Sequence, residues 1–341
     1  QDLGIVATSG TLNNSVSTAT NIKAMSVTIY SPSILDISDD TITITGTGVP
    51  FYQGGTLIST NSTIDFTGNG ATIPWDVNYN NLGLKPSSSS AQILQGNTFF
   101  ISGNLTIGDG TNAGATGQLN SPDIFITGAM SISNGATFTQ GSNLLNIDGT
   151  MTVGGGTTGT FVGSGALNLN GNLTLAVGST WTKGAGTVTF GKGAAQVITD
   201  NTASKQDLGI VATANPSTSV STATNIKLTS LNIGGPTMWD ITSDTMTIMG
   251  TGAPFLESGI LVGTNSTIDF TGNGAIITAS LNYNNLGLKP SGASQQVLGV
   301  GSFIVGGTLT IGDGTNAGVT AATFDPTVAV SGSTTIASGA T

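Results

Sequence analysis

The fold is decided by a stretch that reads STIDFTGNGA at 62–71, NYNNLGLKPS at 78–87 and GNLTIGDGTNAG at 103–114. The same three phrases return at 266–275, at 282–291 and, as TLTIGDGTNAG, at 308–318. Without a gap, positions 17–137 align with 221–341, and 68 of those 121 positions are identical. A worn version stands between the copies, as TVTFGKGAAQVI (187–198), QDLGI (206–210) and IKLTSLNIGG (226–235). In all three places a Leu is followed at one constant interval by an Ile: Leu82 and Ile107, Leu208 and Ile233, Leu286 and Ile311. Phe66, Phe190 and Phe270 are the first anchors of these modules, and a further DLGI stands at 2–5. Self-similarity at a fixed period marks a repeat array, in which each unit packs on its neighbours. The reading is one continuous array, with 1–204 the first long repeat and 205–341 a second, truncated copy. Both ends fall inside repeat phrases, so a longer parent, or one whose leader has been removed, is expected.

Beneath the module runs a shorter beat. Apolar residues alternate with Thr, Ser or Asn at 27–29, 41–44, 63–66, 105–107, 130–132, 151–153, 173–175 and 187–190. That is the period of a strand with one buried face. In Leu105-Thr106-Ile107 the two apolar side chains point one way and the Thr the other. Gly-Asn, Asp-Gly, Asn-Gly and Gly-Gly pairs between the runs supply positive-φ corners. Helical apolar spacing is missing throughout, so essentially no α-helix is expected. A string of β-sandwiches and a β-solenoid both fit many short strands with Gly-rich turns. The beat continues without a linker, the apolar residues are small or β-branched, and aromatics are 6%. These features favour an all-β fold, a parallel β-solenoid whose turns of ~20–25 residues stack at the ~4.8 Å strand spacing.

The phrases WTKGAGTVTFGKGAAQVITDN (181–201), YNNLGL (79–84) and GNLTLAVGSTW (171–181) resemble the autotransporter-like and adhesin-like parallel β-helix repeats of large microbial surface proteins. The resemblance covers nearly the whole chain. It implies an extracellular or cell-surface stalk, fibre or coat, and it brings no catalytic residues with it.

Composition narrows the function classes. Of 341 residues 51 are Gly, charged residues are 7%, and mean hydropathy is +0.22. A disordered chain needs low hydrophobicity and high charge, which this is not. No apolar run nears the ~20 residues that cross a bilayer as a helix. The chain has no Cys, no His and no Arg, and its seven cations are all Lys. A net charge of −10 disfavours nucleic acid and anionic membrane surfaces.

Candidate residues follow from this inventory. Asp36, Asp39 and Asp40 stand in DISDD, with Asp240 and Asp244 in the second copy. Paired carboxylates perform glycoside chemistry. With no Arg or His to assist them, they read here as corner acids, and no enzyme activity is expected. The same acids, with Asp109 and Asn112 and with Asp313 and Asn316 of the GDGTNAG loops, are weak candidates for Ca²⁺, which takes carboxylate and carbonyl oxygens. No cofactor is otherwise expected. Lys85, Lys289, Lys23 and Lys227 could meet an anionic glycan or serve as solubilising edge charges. Asn61 and Asn265 are the favoured N-glycosylation acceptors, with Asn14, Asn104 and Asn172 as further candidates. The Thr41–Thr45 alternation raises an ice-ordering face, which needs T-x-T in successive turns; the Thr runs are too scattered for that. Trp75, Trp181 and Trp239, with Tyr30, Tyr52, Tyr79 and Tyr283, are candidate sugar platforms whose plainer role is local packing. The expected partner is the chain itself, end to end, with surface glycans as an alternative.

Overall fold

The computed structural model describes residues 3–8, 15–88, 90–112, 116–120, 122–155, 158–191, 194–214, 219–279, 281–292, 295–316, 321–323 and 326–340. It is a parallel β-solenoid of about 13 turns, with no helix among the described residues. The chain divides into two compact units, 1–186 and 187–341.

In the first unit a turn consists of three short strands, one on each of three faces. Leu105–Ile107, Thr116–Asn120 and Asp123–Ile126 make one turn; Met130–Ile132, Thr137–Gln140 and Leu145–Ile147 make the next. Each strand pairs in parallel with the strand one turn away. On one face the register stacks Ile22, Ile42, Ile64, Leu82, Leu105, Met130, Met151 and Leu173 in a column. Two residues along, Ala24, Ile44, Phe66, Leu84, Ile107, Ile132, Val153 and Leu175 form a second. From Leu82 onward every member of both columns is buried. The pattern follows from the two-residue period: with three residues per strand, the outer two point inward and the middle one outward. Leu105 and Ile107 are fully buried, as the alternation predicts. Burial of such a side chain contributes ~1.5–3 kcal/mol, repeated on every turn.

The other two faces complete the core. Phe138, Phe161 and Trp181 share a register position, their rings stacked at centroid separations of 6.4 and 4.4 Å. Phe99, Ile124, Leu145 and Leu167 stack on the third face.

The second unit is built alike. Ile226, Met246, Ile268, Leu286 and Leu309 form one inward column, with Leu228, Ile248, Phe270, Leu288 and Ile311 beside it. Trp239 is fully buried there against Phe190, ring centroids 6.1 Å apart.

The repeated Leu-to-Ile interval is not the turn itself. Leu82 pairs with Leu105 and Leu84 with Ile107, so Leu82 to Ile107 is one turn plus a two-position step along the strand. Leu286 to Ile311 behaves identically. Leu208 to Ile233 does not: Leu208 donates its N–H to Lys227 on the face of Ile226–Leu228, whereas Ile233 lies on Ser230–Ile233, the following face. All three faces carry the same apolar-x-apolar phrase, so an interval between phrases does not say which face it joins.

Candidate functional site

Asp40, Asp65 and Lys85, and their second-copy equivalents Asp244, Asp269 and Lys289, are engaged between neighbouring turns. Lys85 Nζ lies 2.8 Å from Asp65 Oδ2 one turn earlier, and Lys289 lies 2.8 Å from Asp269. Gly83 and Gly287 make room for these pairs: a Cβ at either would stand 2.0 Å from the Asp Oδ1. The sequence offered Lys85 and Lys289 as glycan contacts or edge charges, and the fold gives them an ion pair across turns instead. Lys23 and Lys227 occupy outward positions in register with Thr43 and Thr247.

The DISDD acids are likewise bound into corners. Ser38 N–H donates to Asp36 at 2.9 Å, and the hydroxyl and N–H of Ser38 hold the Asp36 carboxyl below its usual value. Thr242 N–H caps Asp240 at 2.9 Å. Asp40 accepts from the Thr18 hydroxyl and Asp244 from the Thr222 hydroxyl, each at 2.6 Å, the same bond in both copies. Asp39 has φ +64° and accepts from Asn61 Nδ2 at 3.1 Å, Asn61 itself having φ +52°. Asp and Asn tolerate this left-handed conformation better than most residues. In the GDGTNAG loops Asp109 accepts from the N–H groups of Asn112 and Thr111 and from Asn112 Nδ2. These bonds, that of the Asn112 N–H foremost, hold its carboxyl down at about 2. Asp313 is held down by the matching bonds from Asn316 and Thr315. Among the described residues no three metal-ligating side chains gather.

Of the glycosylation candidates, Asn61 and Asn265 sit exposed at positive-φ corners, and Asn104 and Asn172 are exposed too. The Asn104 side-chain oxygen accepts the Ala129 N–H at 2.8 Å, so it also serves the next turn. Asn14 lies outside the described residues, and the tripeptide Asn13-Asn14-Ser15 places the acceptor of that sequon on Asn13. On the face of Leu105–Ile107, Thr106, Ser131, Thr152 and Thr174 form one outward column. On Thr41–Ile44 of the same face both Thr41 and Thr43 point outward, but Thr43 stands in register with Lys23 and Asp65, so no flat T-x-T lattice forms.

Three kinds of polar plug close corners of the solenoid. Gln92 Nε2 donates to the carbonyls of Phe66 and Gly68, both at 2.8 Å, and Gln296 does the same to Phe270 and Gly272. Gln140 bonds the carbonyls of Asn143 and Ala166, and Lys183, in the same register column, bonds those of Gly165 and Gly186 at 2.6 Å. Asp200, fully buried, receives the N–H groups of Thr202 and Gln206 at 2.8 and 2.6 Å and ties down its loop. Gln92 and Gln296 occupy equivalent positions of the two copies, and that repetition was the available signal.

The aromatic candidates separate into two sets. Tyr79, Tyr283, Trp181 and Trp239 are core residues. The Tyr79 hydroxyl donates to the Pro74 carbonyl at 2.9 Å, and burial raises it well above its usual range. Tyr30 and Tyr52 are exposed, with ring centroids 6.3 Å apart. Trp75 is exposed as well, its indole lying over Gly96. Beside it Phe100 stacks on Phe125 of the next turn at 5.4 Å, with 15° between the planes. Trp75, Asp76, Val77, Asn78, Thr98 and Phe100 line a cleft of about 500 Å³. Phe100 and Phe125 are one turn apart, at the same interval as Leu105 and Met130, and that interval could have paired them in advance.

Comparison of the chain with protein-family models, with curated proteins and with solved structures finds no match.

Proposed function

We propose that the chain is a structural β-solenoid of the cell exterior, a length of fibre, stalk or surface coat that extends by end-to-end stacking of turns. What the two copies share carries this reading. The Asp–Lys pair over a glycine, the Thr–Asp bond and the Gln plug recur at equivalent positions of both copies, and each joins one turn to another. Residues kept for a ligand would leave functional groups free; these groups are consumed by the scaffold. The reading assigns no catalysis and no cofactor to the chain. The resemblance to surface-protein repeats supports an extracellular place for it.

A parallel solenoid has two axial ends whose backbone N–H and C=O groups need partners. Further turns of the same polypeptide or of another copy supply them, and head-to-tail contacts that do not close give a filament. Electron microscopy and fibre diffraction test this. Thin rods with an axial spacing of ~4.8 Å are expected. Discrete particles that stay unassociated at every concentration overturn the end-to-end reading.

A further inference from the structure

The geometry of the corner around Trp75 points to a binding site for a glycan without negative charge. It lies beyond the scaffold reading and does not depend on it. Trp75 is 44% exposed and Phe100 66%, and Phe125 continues the aromatic row on the next turn. Contiguous exposed apolar patches rimmed by polar residues mark recognition sites. The fold does not require these rings. In the second copy the same positions hold Ala279, Ile304 and Ala329, and Ile304 pairs with Ala329 in the register that Phe100 keeps with Phe125. Gly96, at φ +140°, clears the space for Trp75: a Cβ there would fall 1.8 Å from the indole Cδ1.

The lining selects the occupant. Between and beside the rings stand Asp76, Asn78, Thr98 and Thr127, whose side chains make no hydrogen bond to another described residue. A sugar ring matches this arrangement, since its C–H face lies on an aromatic plane while its hydroxyls meet polar groups at the edge. A purely apolar partner, including a second copy of this row, would bury those groups unpaired, at a cost of ~1–3 kcal/mol each. The charge of the lining is a single acid, Asp76, with no cation. An anionic glycan finds no counter-charge there and is repelled by that acid, whereas a neutral or amino sugar meets no such penalty.

Tryptophan fluorescence with acrylamide quenching reads the site directly, because Trp181 and Trp239 are buried at 3% and 0% exposure and Trp75 is the accessible indole. Cellohexaose or chitohexaose is expected to protect Trp75 from the quencher, and polygalacturonate is not. Phe100→Ala, which keeps Trp75, should weaken protection at least tenfold. Phe100→Ile, the residue of the second copy, should do the same with unchanged melting, which separates lost binding from lost folding. The proposal is overturned if neither hexaose protects Trp75, if polygalacturonate protects as well, or if protection rises with protein concentration alone, which would assign the rings to contact between copies.

Discussion

Segment 62–114 and its counterpart 266–318 have the same scaffold and different exteriors. Both place an Asp–Lys pair over a glycine, both plug the following corner with a buried Gln, and both precede the Leu-Gly-Leu strand with a buried Tyr stacked on a Phe. Outside, Trp75 faces Ala279 in the alignment and Phe100 faces Ile304. The second copy's corner is a cleft of about 370 Å³ with Glu257 in its lining, its carboxyl pushed up from its ordinary value by burial. The Asp–Lys pair and the Gln plug, which join one turn to the next, agree between the copies, whereas Trp75 and Phe100, which are exposed, do not. In-register stacking makes the distinction sharp, because an inward or inter-turn residue touches its counterparts above and below, whereas an outward side chain constrains little.

The largest effect expected is from the inward columns, equally in both copies. Leu105→Asp and Leu309→Asp should each cost more than the ~2–5 kcal/mol of a buried Leu→Ala change, since an unpaired carboxylate is added to the cavity. Thermal melting with limited proteolysis checks this, and Thr106→Asp, on the outward side of the same strand, should melt close to the parent. A near-native melt for Leu105→Asp would break the in/out assignment. Next comes the plug. Gln92→Leu and Gln296→Leu remove the donor to the Gly68 and Gly272 carbonyls, while Phe66 and Phe270 keep the N–H groups of Lys85 and Lys289. The carbonyl left unsatisfied costs ~1–3 kcal/mol, offset in part because Leu also removes the buried Oε1 of Gln92 and Gln296, which has no partner among the described residues. Denaturant melts of the two variants should agree with each other; a cost in one copy alone would show that the shared bond is not a shared requirement.

How far the sequence could be read follows from the same division. Inward and outward sides were legible, because Leu105-Thr106-Ile107 needs only the two-residue period of a strand. Faces were not: Leu208 and Ile233 looked like Leu82 and Ile107 yet lie on different faces. The step between consecutive strands of one face is shorter from Ile64 to Leu82 than from Leu105 to Met130, so the partner of a given polar residue cannot be counted off. That is why Lys85 reads as a loose edge charge although Asp65 is its partner, and why the repetition of Gln92 as Gln296 does not name the carbonyls they close. The DISDD acids were legible as corner chemistry because Asp and Asn carry that preference in their own side chains. Trp75 has no counterpart in the second copy, where Ala279 stands, so the repeat itself does not require its ring.

A smaller effect tests the glycine under the ion pair. Gly83→Ala and Gly287→Ala bring a methyl into the Asp carboxylate, and overpacking of this kind costs ~1–3 kcal/mol. In an Asp65→Ala background the Gly83→Ala penalty should shrink, giving a coupling of ~0.5–3 kcal/mol in a double-mutant cycle. Additive effects would mean that the glycine serves the backbone and not the pair. Lys85→Met should cost only the ~0.2–1 kcal/mol of a partly exposed pair.

A pH dependence distinguishes two plugs in one column. Gln140 does not titrate, but Lys183 is desolvated by burial and its pKa falls to about 8 from an ordinary 10.5. Below about pH 8 both folded and unfolded chains carry the charge, and the folded state bears it in a half-buried corner. Between about 8 and 10.5 the unfolded chain holds the proton that the folded chain has released. Stability then rises with pH wherever the unfolded state binds more protons. The melting temperature of the parent should therefore climb across that window relative to Lys183→Gln, which copies the neighbouring plug and should show no such slope. The neutral amine still donates to the Gly165 and Gly186 carbonyls, so the corner stays closed on both sides of the transition. Parallel pH profiles for the parent and Lys183→Gln would show that the ammonium keeps its water, and that Lys183 is a surface residue resting on the corner and not a plug.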